Sequence, residues 1–412
     1  MTVIQKAFLP RRRVVRAAAA ALVAAAAGAT FAGGALAQGP DIKVGFNTDL
    51  SASASAEYSR NAVLGFQAAF DDINAKGGLL GGRKLVLVVR DDLAQPPKAI
   101  QNMSDLIDNE KVVAVFGPTN SGNALAWKHI ANQKKVPVIV SLGTSTDIVK
   151  PMGGDNYMFR VSATDREQIR SLMTYAKNNP KTGKVGFLVD TTGYGQAGLK
   201  DLTEVSELYG IKPVLVEKLN PNDTDMTSQL NKFKAAGVDT LFVWALGTPI
   251  GHVVRSMETI NYFPLTLTSW ASDSKGFFEA AGPKLAEIPL FMRSVSQDRN
   301  AKTQELFKRI ESRMPAPSGF WGAAHSYDSA LLLAAAIQQA GTTDGPAVRA
   351  ALEDLKQPVP GYMKTYEAPF SKTYHEGLSG ADFMWTRWKD GKLGPYTDDV
   401  IIKLTPDAYV KG

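Results

Sequence analysis

The chain has 412 residues, 44% of them hydrophobic, no cysteine and a formal net charge of +6. That length suffices for two lobes with separate cores. The lack of thiols excludes disulfides, thiolate metal sites and thiol chemistry, so stability rests on core size.

At the N-terminus, Lys6, Arg11, Arg12, Arg13 and Arg16 precede the eleven-residue apolar run Ala17 to Ala27. Ala35-Leu36-Ala37 then forms an A-x-A cleavage site before Gln38. Residues 1–37 therefore read as a signal peptide cleaved after Ala37. The apolar run is too short to span a bilayer. The twin-arginine motif is incomplete, so the general secretory route is the expectation. Removal takes five basic and no acidic residues, leaving 46 − 5 = 41 basic against 40 acidic, near +1. Binding to nucleic acid or a membrane surface thereby loses its support.

Asp41 to Asn47 reads as the first strand, and residues 49–59 as a polar loop. A helix follows with Ala62, Phe66, Ala69, Phe70 and Ile73 on one face. It stops at Asn74-Ala75-Lys76-Gly77-Gly78, and the glycines from Gly77 to Gly82 suit a turn needing positive φ. Lys84 to Arg90 is the next strand, closed by Asp91-Asp92, which are expected to face solvent or to cap a helix. Pro96-Pro97 opens the following helix.

Val112 to Phe116 and Val136 to Val140 read as buried parallel strands, with one crossover helix from Asn123 to Lys134 between them. Ligands in open α/β sheets bind beyond the carboxyl ends of strands. Two segments occupy such places: Gly117-Pro118-Thr119-Asn120-Ser121-Gly122-Asn123-Ala124 and Ser141-Leu142-Gly143-Thr144-Ser145. Ser121 is expected to cap the helix, whose start would attract a carboxylate. Carbonyls and the Thr144 hydroxyl would hold the other end of a small molecule. The bland alternative is a pair of ordinary strand-to-helix turns.

Tyr157 to Val161 reads as a short crossing strand, Asp165 to Asn178 as a helix and Lys184 to Asp190 as a strand. The alternation restarts with strands at Pro213 to Lys218, Asp239 to Trp244 and Leu265 to Ser269. Two βαβ series separated near residue 160 imply two doubly wound, Rossmann-like lobes. The last third departs from this, with an apolar helix at Phe320 to Ala340 and an aromatic strand pair around Asp382 to Lys389.

Several motifs fall in the order and spacing of one family: Ile42-Lys43-Val44-Gly45, Asp72-Ile73-Asn74-Ala75-Lys76-Gly77-Gly78, Gly81-Gly82-Arg83-Lys84-Leu85, Asp91-Asp92, Gly117-Pro118 with Ser121, Pro137 and Tyr194-Gly195. Over residues 41–400 the chain resembles a periplasmic solute-binding protein of the branched-chain amino acid (Leu/Ile/Val-binding) type, serving an ATP-driven ABC importer. The resemblance implies a type I periplasmic binding fold, with two α/β lobes joined by a three-crossing hinge. Lobe one would take 41–160 plus 294–368, and lobe two 161–293 plus 369–412. It also implies a periplasmic, monomeric, non-enzymatic protein without cofactor or metal, whose partners are a small carboxylate and a membrane permease.

By the same resemblance, Ser121, beside Asn120, takes the ligand carboxylate through hydroxyl and N–H. Leu142 and Thr144 receive the ammonium, and Tyr58 and Tyr194 are aromatic walls from the two lobes. Two positions depart from the family. A second-lobe tyrosine aligns near Leu246, and the second-lobe acid aligns with Trp270. Indole for carboxylate removes a charge-assisted bond worth about 1.5–3 kcal/mol and adds a flat apolar wall. Either Asp273 supplies the missing charge, or the ligand is a carboxylate with an apolar or aromatic body and no ammonium.

The rival reading is a periplasmic NAD-type oxidoreductase. Gly193-Tyr194-Gly195-Gln196-Ala197-Gly198 matches G-x-G-x-x-G after a strand, with Glu217 nineteen residues beyond. His129, His252, His325 and His375 are scattered and read as structural or surface residues. Phe320-Trp321 and Tyr327 read as core by default, with one of them reaching the cleft as the alternative, and Trp270 as either pocket wall or core.

Overall fold

A computed structural model describes residues 39–314 and 319–405. The proposed signal peptide, residues 1–37, lies outside the described residues. From Asp41 onward the chain forms one compact unit built on two parallel sheets.

The first sheet has the order β2-β1-β3-β4-β5. Its strands are β1 (Ile42–Thr48), β2 (Leu85–Asp91), β3 (Ala114–Gly117), β4 (Val138–Val140) and β5 (Met158–Arg160). Every residue of β3, β4 and β5 is buried, as in strands covered on both faces, Arg160 at the end of β5 being the one charged member. The crossover helices are α1 (Ala56–Ala75), α2 (Pro96–Asp108) and α3 (Ser121–Lys134). Helix α1 begins inside the segment expected to be loop, because Asp49 collects that loop. Its carboxylate accepts from the amides of Ser51, Ala52 and Ser53 and the hydroxyls of Ser53 and Ser55. The glycines at 77, 78, 81 and 82 all have positive φ, as the turn requires.

After α4 (Asp165–Asn178) comes the second sheet, ordered β7-β6-β8-β9. It comprises β6 (Val185–Asp190), β7 (Leu215–Leu219), β8 (Thr240–Trp244) and β9 (Leu265–Thr268), interleaved with α5 (Gly193–Leu208), α6 (Thr227–Ala236) and α7 (Gly247–Thr259). Next come α8 (Lys275–Ala281) and β10 (Phe291–Arg293).

The chain then returns to the first lobe with α9 (Ala301–Ile310), α10 (Phe320–Ala340) and α11 (Gly345–Leu352). Helix α10 packs along α1 and is buried nearly all round, which is why its sequence lacks a polar face. A small hairpin, β11 (Val359–Pro360) with β12 (Thr365–Tyr366), follows. Finally β13 (Met384–Lys389) and β14 (Lys392–Pro395) form an antiparallel sheet with β10. The result is two α/β lobes joined by three crossings of the chain.

At the hinge, Arg160 is fully buried. Its guanidinium forms a bidentate pair with Glu376, with Nε–Oε2 at 2.7 Å and Nη2–Oε1 at 2.5 Å. The Arg160 amide donates to His375 O, and the Gly377 amide donates to Arg160 O. Two of the crossings are thus clamped to each other through one residue.

Candidate functional site

The carboxyl ends of the two sheets face one another, and the segments singled out from sequence follow those ends. Ser121 comes after β3, Leu142 and Thr144 after β4, Tyr194 after β6 and Trp270 after β9. Parallel strands direct their loops to one edge, so residues far apart in sequence converge there.

In the first lobe, Asn120, not Ser121, caps α3. Its side-chain oxygen accepts from the amides of Gly122 and Asn123. The cap position is one residue earlier than the sequence suggests, because the longer amide reaches both donors. Ser121 is therefore released from capping, and its hydroxyl accepts from the Ser145 amide at 3.3 Å. The two candidate segments are in direct contact.

The 141–145 loop is held from below. Its carbonyls are taken up in turn: Ser141 by His325 Nδ1, Gly143 by Arg160 and Ser162, Thr144 by the Asp165 amide and Ser145 by Arg160. The Leu142 carbonyl accepts no hydrogen bond from the described residues. Leu142 and Thr144 are both buried.

Tyr58, on α1, reaches into the second lobe, where its hydroxyl donates to Ala271 O at 3.0 Å. Its ring lies 4.7 Å from that of Trp321, which stacks on Trp270 at 4.2 Å and 25°. Trp270 is therefore one member of an aromatic column spanning the lobes, and its amide donates to Gln168 Oε1. Asp273 is engaged within the protein: Oδ1 accepts from the Gly319 amide at 3.0 Å and Oδ2 is 4.0 Å from Arg293. Burial raises its pKa, and Arg293 opposes that rise. Glu57, beside Tyr58, accepts from the amides of Lys275 and Gly276 at the start of α8. Burial pushes the Glu57 carboxyl upward as well.

Tyr194 sits in the first turn of α5, buried, and its hydroxyl has no hydrogen-bond partner. Trp244 Nε1, Ser145 Oγ and Asp165 Oδ2 are likewise buried and make no close hydrogen bond, although the Thr144 hydroxyl and the Trp244 indole stand near enough to the Asp165 carboxylate to stabilise its charge. The sequence reading did not select Asp165, because an acid at a helix start reads as an ordinary favourable charge for the helix dipole. It is fully buried, and burial pushes its pKa up to about 8. The Thr144 hydroxyl, Arg160 and the Trp244 indole offset this in part, while Asp201 adds to it. Trp244 and Arg160 were also missed as site-forming residues, since nothing local distinguishes a cleft side chain from a core one.

A cavity of about 780 Å3 opens beside these residues, lined from the first lobe by Asn120, Gly122 and Asn123 and from the second by Thr192, Gly193 and Leu246. Of the expected contacts only Asn120 lines it, together with Leu246, which the resemblance set against a family tyrosine. The others are buried.

Each glycine of the G-x-G-x-x-G motif abuts protein. A methyl group on Gly193 would lie 2.7 Å from Gly122 Cα, one on Gly195 2.3 Å from Asp190 O, and one on Gly198 2.0 Å from the Trp244 ring. Close packing accounts for all three. Glu217 pairs with Lys232 at 3.0 Å.

Asp92 is completely buried, contrary to the expectation that it faces solvent. The loop after β2 folds back, so that Asp92 Oδ1 accepts from the Ala94 amide and burial lifts its pKa to about 6. His325 and His375 are buried and hydrogen-bonded, His129 is exposed and His252 half-buried.

Residues 41–391 match the model of a family described as periplasmic binding protein. An amino acid binding protein of Pseudomonas aeruginosa is 28% identical over 312 residues, covering 74% of this chain and 80% of its own length. A Leu/Ile/Val-binding protein homologue of Brucella abortus is 28% identical over 358 residues, covering 86% and 92%. Among solved structures, a type 1 periplasmic binding protein from Bordetella pertussis superposes with a TM-score of 0.76 at 24% identity, covering 86% of this chain and 100% of its own.

Proposed function

The chain belongs to the periplasmic binding protein family, and from that premise we propose that it captures a small carboxylate between its lobes and delivers it to the permease of an ABC importer. It acts as a monomer in the periplasm after cleavage of residues 1–37, and it performs no chemistry on its cargo. Relatives named as amino acid and Leu/Ile/Val-binding proteins support the transport role.

One observation carries the reading. Buried polar groups from both lobes, Tyr194 OH, Trp244 Nε1, Ser145 Oγ and Asp165 Oδ2, gather beside the start of α3 without close hydrogen bonds. Leaving several such groups unpaired is costly, and a polar guest relieves the cost. In this reading Ser121, with Asn120 fixing the helix start, receives the carboxylate. Leu142 and Thr144 hold the neighbouring polar group, and Tyr58, Tyr194 and Trp270 wall the body. Asp273, through Gly319 and Arg293, ties the site to the hinge side of α10. Closure proceeds by hinge rotation about the Arg160–Glu376 clamp, and a micromolar ligand supplies about 8 kcal/mol, ample to shift an open–closed balance of a few kcal/mol.

The test is a thermal-shift screen of amino acids against aliphatic and aromatic carboxylates, since a ligand of the folded state raises the melting temperature by mass action. Stabilisation by neutral sugars or cations, with none by carboxylates, would remove the proposal.

A further inference from the structure

We infer that Arg160 and His325 are positioning residues: they fasten the 141–145 loop to all three crossings, so that the loop and the hinge move as one body. This rests on the reading above that the loop receives the ligand, and it adds what holds that loop in place.

The first crossing runs directly beneath the loop. Arg160, at its start, donates from Nη1 to Ser145 O at 2.7 Å and to Gly143 O at 3.3 Å. The Ser162 hydroxyl donates to Gly143 O at 3.0 Å, and the Asp165 amide to Thr144 O at 2.9 Å. The third crossing joins through the other edge of the same guanidinium, where Nε and Nη2 hold Glu376. The second crossing joins through His325. Its Nε2 lies 2.8 Å from Ser294 Oγ, just past β10, and its Nδ1 lies 3.1 Å from Ser141 O. Ser141 Oγ donates in turn to Ser329, one turn further along α10.

A buried charge needs a partner, and that need alone accounts for the pairing of Arg160 with Glu376. It does not account for Nη1, which the carboxylate leaves free. Lysine would also neutralise Glu376, but its ammonium lacks a planar fork with two separate edges. What the second edge secures is direction. A trans peptide unit points its C=O and N–H opposite ways. With Thr144 O bonded to the Asp165 amide, the Ser145 amide is turned away from the crossing and onto Ser121 Oγ. Arg160 fixes the peptide units on either side through Gly143 O and Ser145 O. The crossings thus reach the carboxylate site through a single peptide plane, and a shift of the hinge carries the partner of Ser121 with it.

Amide hydrogen exchange of the protein alone tests this. The Gly143 and Ser145 amides, bonded to Pro118 O and Ser121 Oγ, are the reporters. In Arg160→Lys they should exchange faster by roughly tenfold or more relative to the strand amides of β6 and β8. Ser294→Ala removes one hydroxyl on a different crossing, and it should speed the same two amides by about threefold or more on that scale. It keeps the test open if Arg160→Lys does not fold. Equal acceleration in both sheets would mean that these residues only stabilise the fold, and unchanged reporters that the loop is held by other means. Either result would overturn the inference. L-Leucine and benzoate are then titrated into each form. Whichever of them the native protein binds should leave Arg160→Lys faster, weakening by roughly tenfold or more, with association changed by less than about threefold. Full affinity in a variant whose loop exchanges faster would also overturn the positioning role. Binding of neither probe would count against the carboxylate proposal, and the exchange comparison then decides this inference by itself.

Discussion

Gly122, in the first turn of α3, and Gly193, the first residue of α5, meet backbone to backbone across the two lobes. A methyl group on Gly193 would stand 2.7 Å from Gly122 Cα, closer than such atoms pack. The helix starts that flank the cleft therefore approach each other only because neither carries a side chain. Gly193→Ala should hold the lobes slightly apart. Alanine is the better helix former, so folding should be unaffected or improved by a few tenths of a kcal/mol. Ligand affinity should fall at least tenfold, about 1.4 kcal/mol. Small-angle scattering with and without ligand checks this: compaction as complete as in the native protein would contradict it.

Ser121 no longer has a capping duty, since Asn120 performs it. Ser121→Ala should therefore spare the helix cap and cost only the bond from the buried Ser145 amide, about 1–3 kcal/mol of stability. Loss of a hydrogen bond to a charged carboxylate should weaken binding by about 1.5–3 kcal/mol, roughly 10- to 150-fold. Calorimetric titration reads the affinity and urea unfolding the stability. Unchanged affinity would remove the carboxylate assignment at this residue.

Trp270 is buried and stacked on Trp321, which in turn contacts Tyr58. Removing it leaves a large void in the column that spans the lobes. Trp270→Ala should cost about 3–5 kcal/mol, measured by urea denaturation. Trp270→Phe, which keeps a stacking face, should recover more than half of that. A loss under 1 kcal/mol for the alanine variant would mean that the column does not hold the lobes.

His325 donates from Nδ1 to Ser141 O, and Ser294 lies 2.8 Å from Nε2. Burial lowers its pKa to about 4. The unfolded chain takes up a proton near pH 6.5, and the folded one resists until about pH 4. The stability from neutral His325 is thus complete above pH 6.5 and is lost as pH falls through that window, by about 3 kcal/mol in all. Asp165 and Asp328, raised to about 8 and about 6, act with the opposite sign, favouring the fold as pH falls toward 3.8. The comparison that isolates the histidine is therefore the native protein against His325→Gln. The slope of the variant's stability against pH should differ from the native slope by about one proton between pH 4 and 6.5, the native protein losing more stability, or gaining less, as pH falls. Equal slopes in a denaturant series would contradict the assignment.

The strands and most helices were legible in the amino-acid order because their signals are local. Short apolar runs bounded by turn residues gave the parallel strands, and Pro96 and the glycines at 77–82 marked a helix start and a turn. The start of α1 was misplaced because Asp49 organises its loop through side-chain contacts that periodicity does not report. Ser121, Leu142, Thr144 and Tyr194 could be selected early because each follows a strand end in a recognisable order. Asp165 and Trp244 could not, since their burial depends on which groups the second lobe brings near. The chain alone determined two interleaved α/β halves, a thiol-free core and the loops that would carry a site. Only the folded molecule decided that Asn120 takes the cap, that Asp273 is bound to the Gly319 amide beside Arg293 and that Asp165 is buried beside the Thr144 hydroxyl and the Trp244 indole, because partners for charged groups are set by distances across lobes and not by neighbours in sequence.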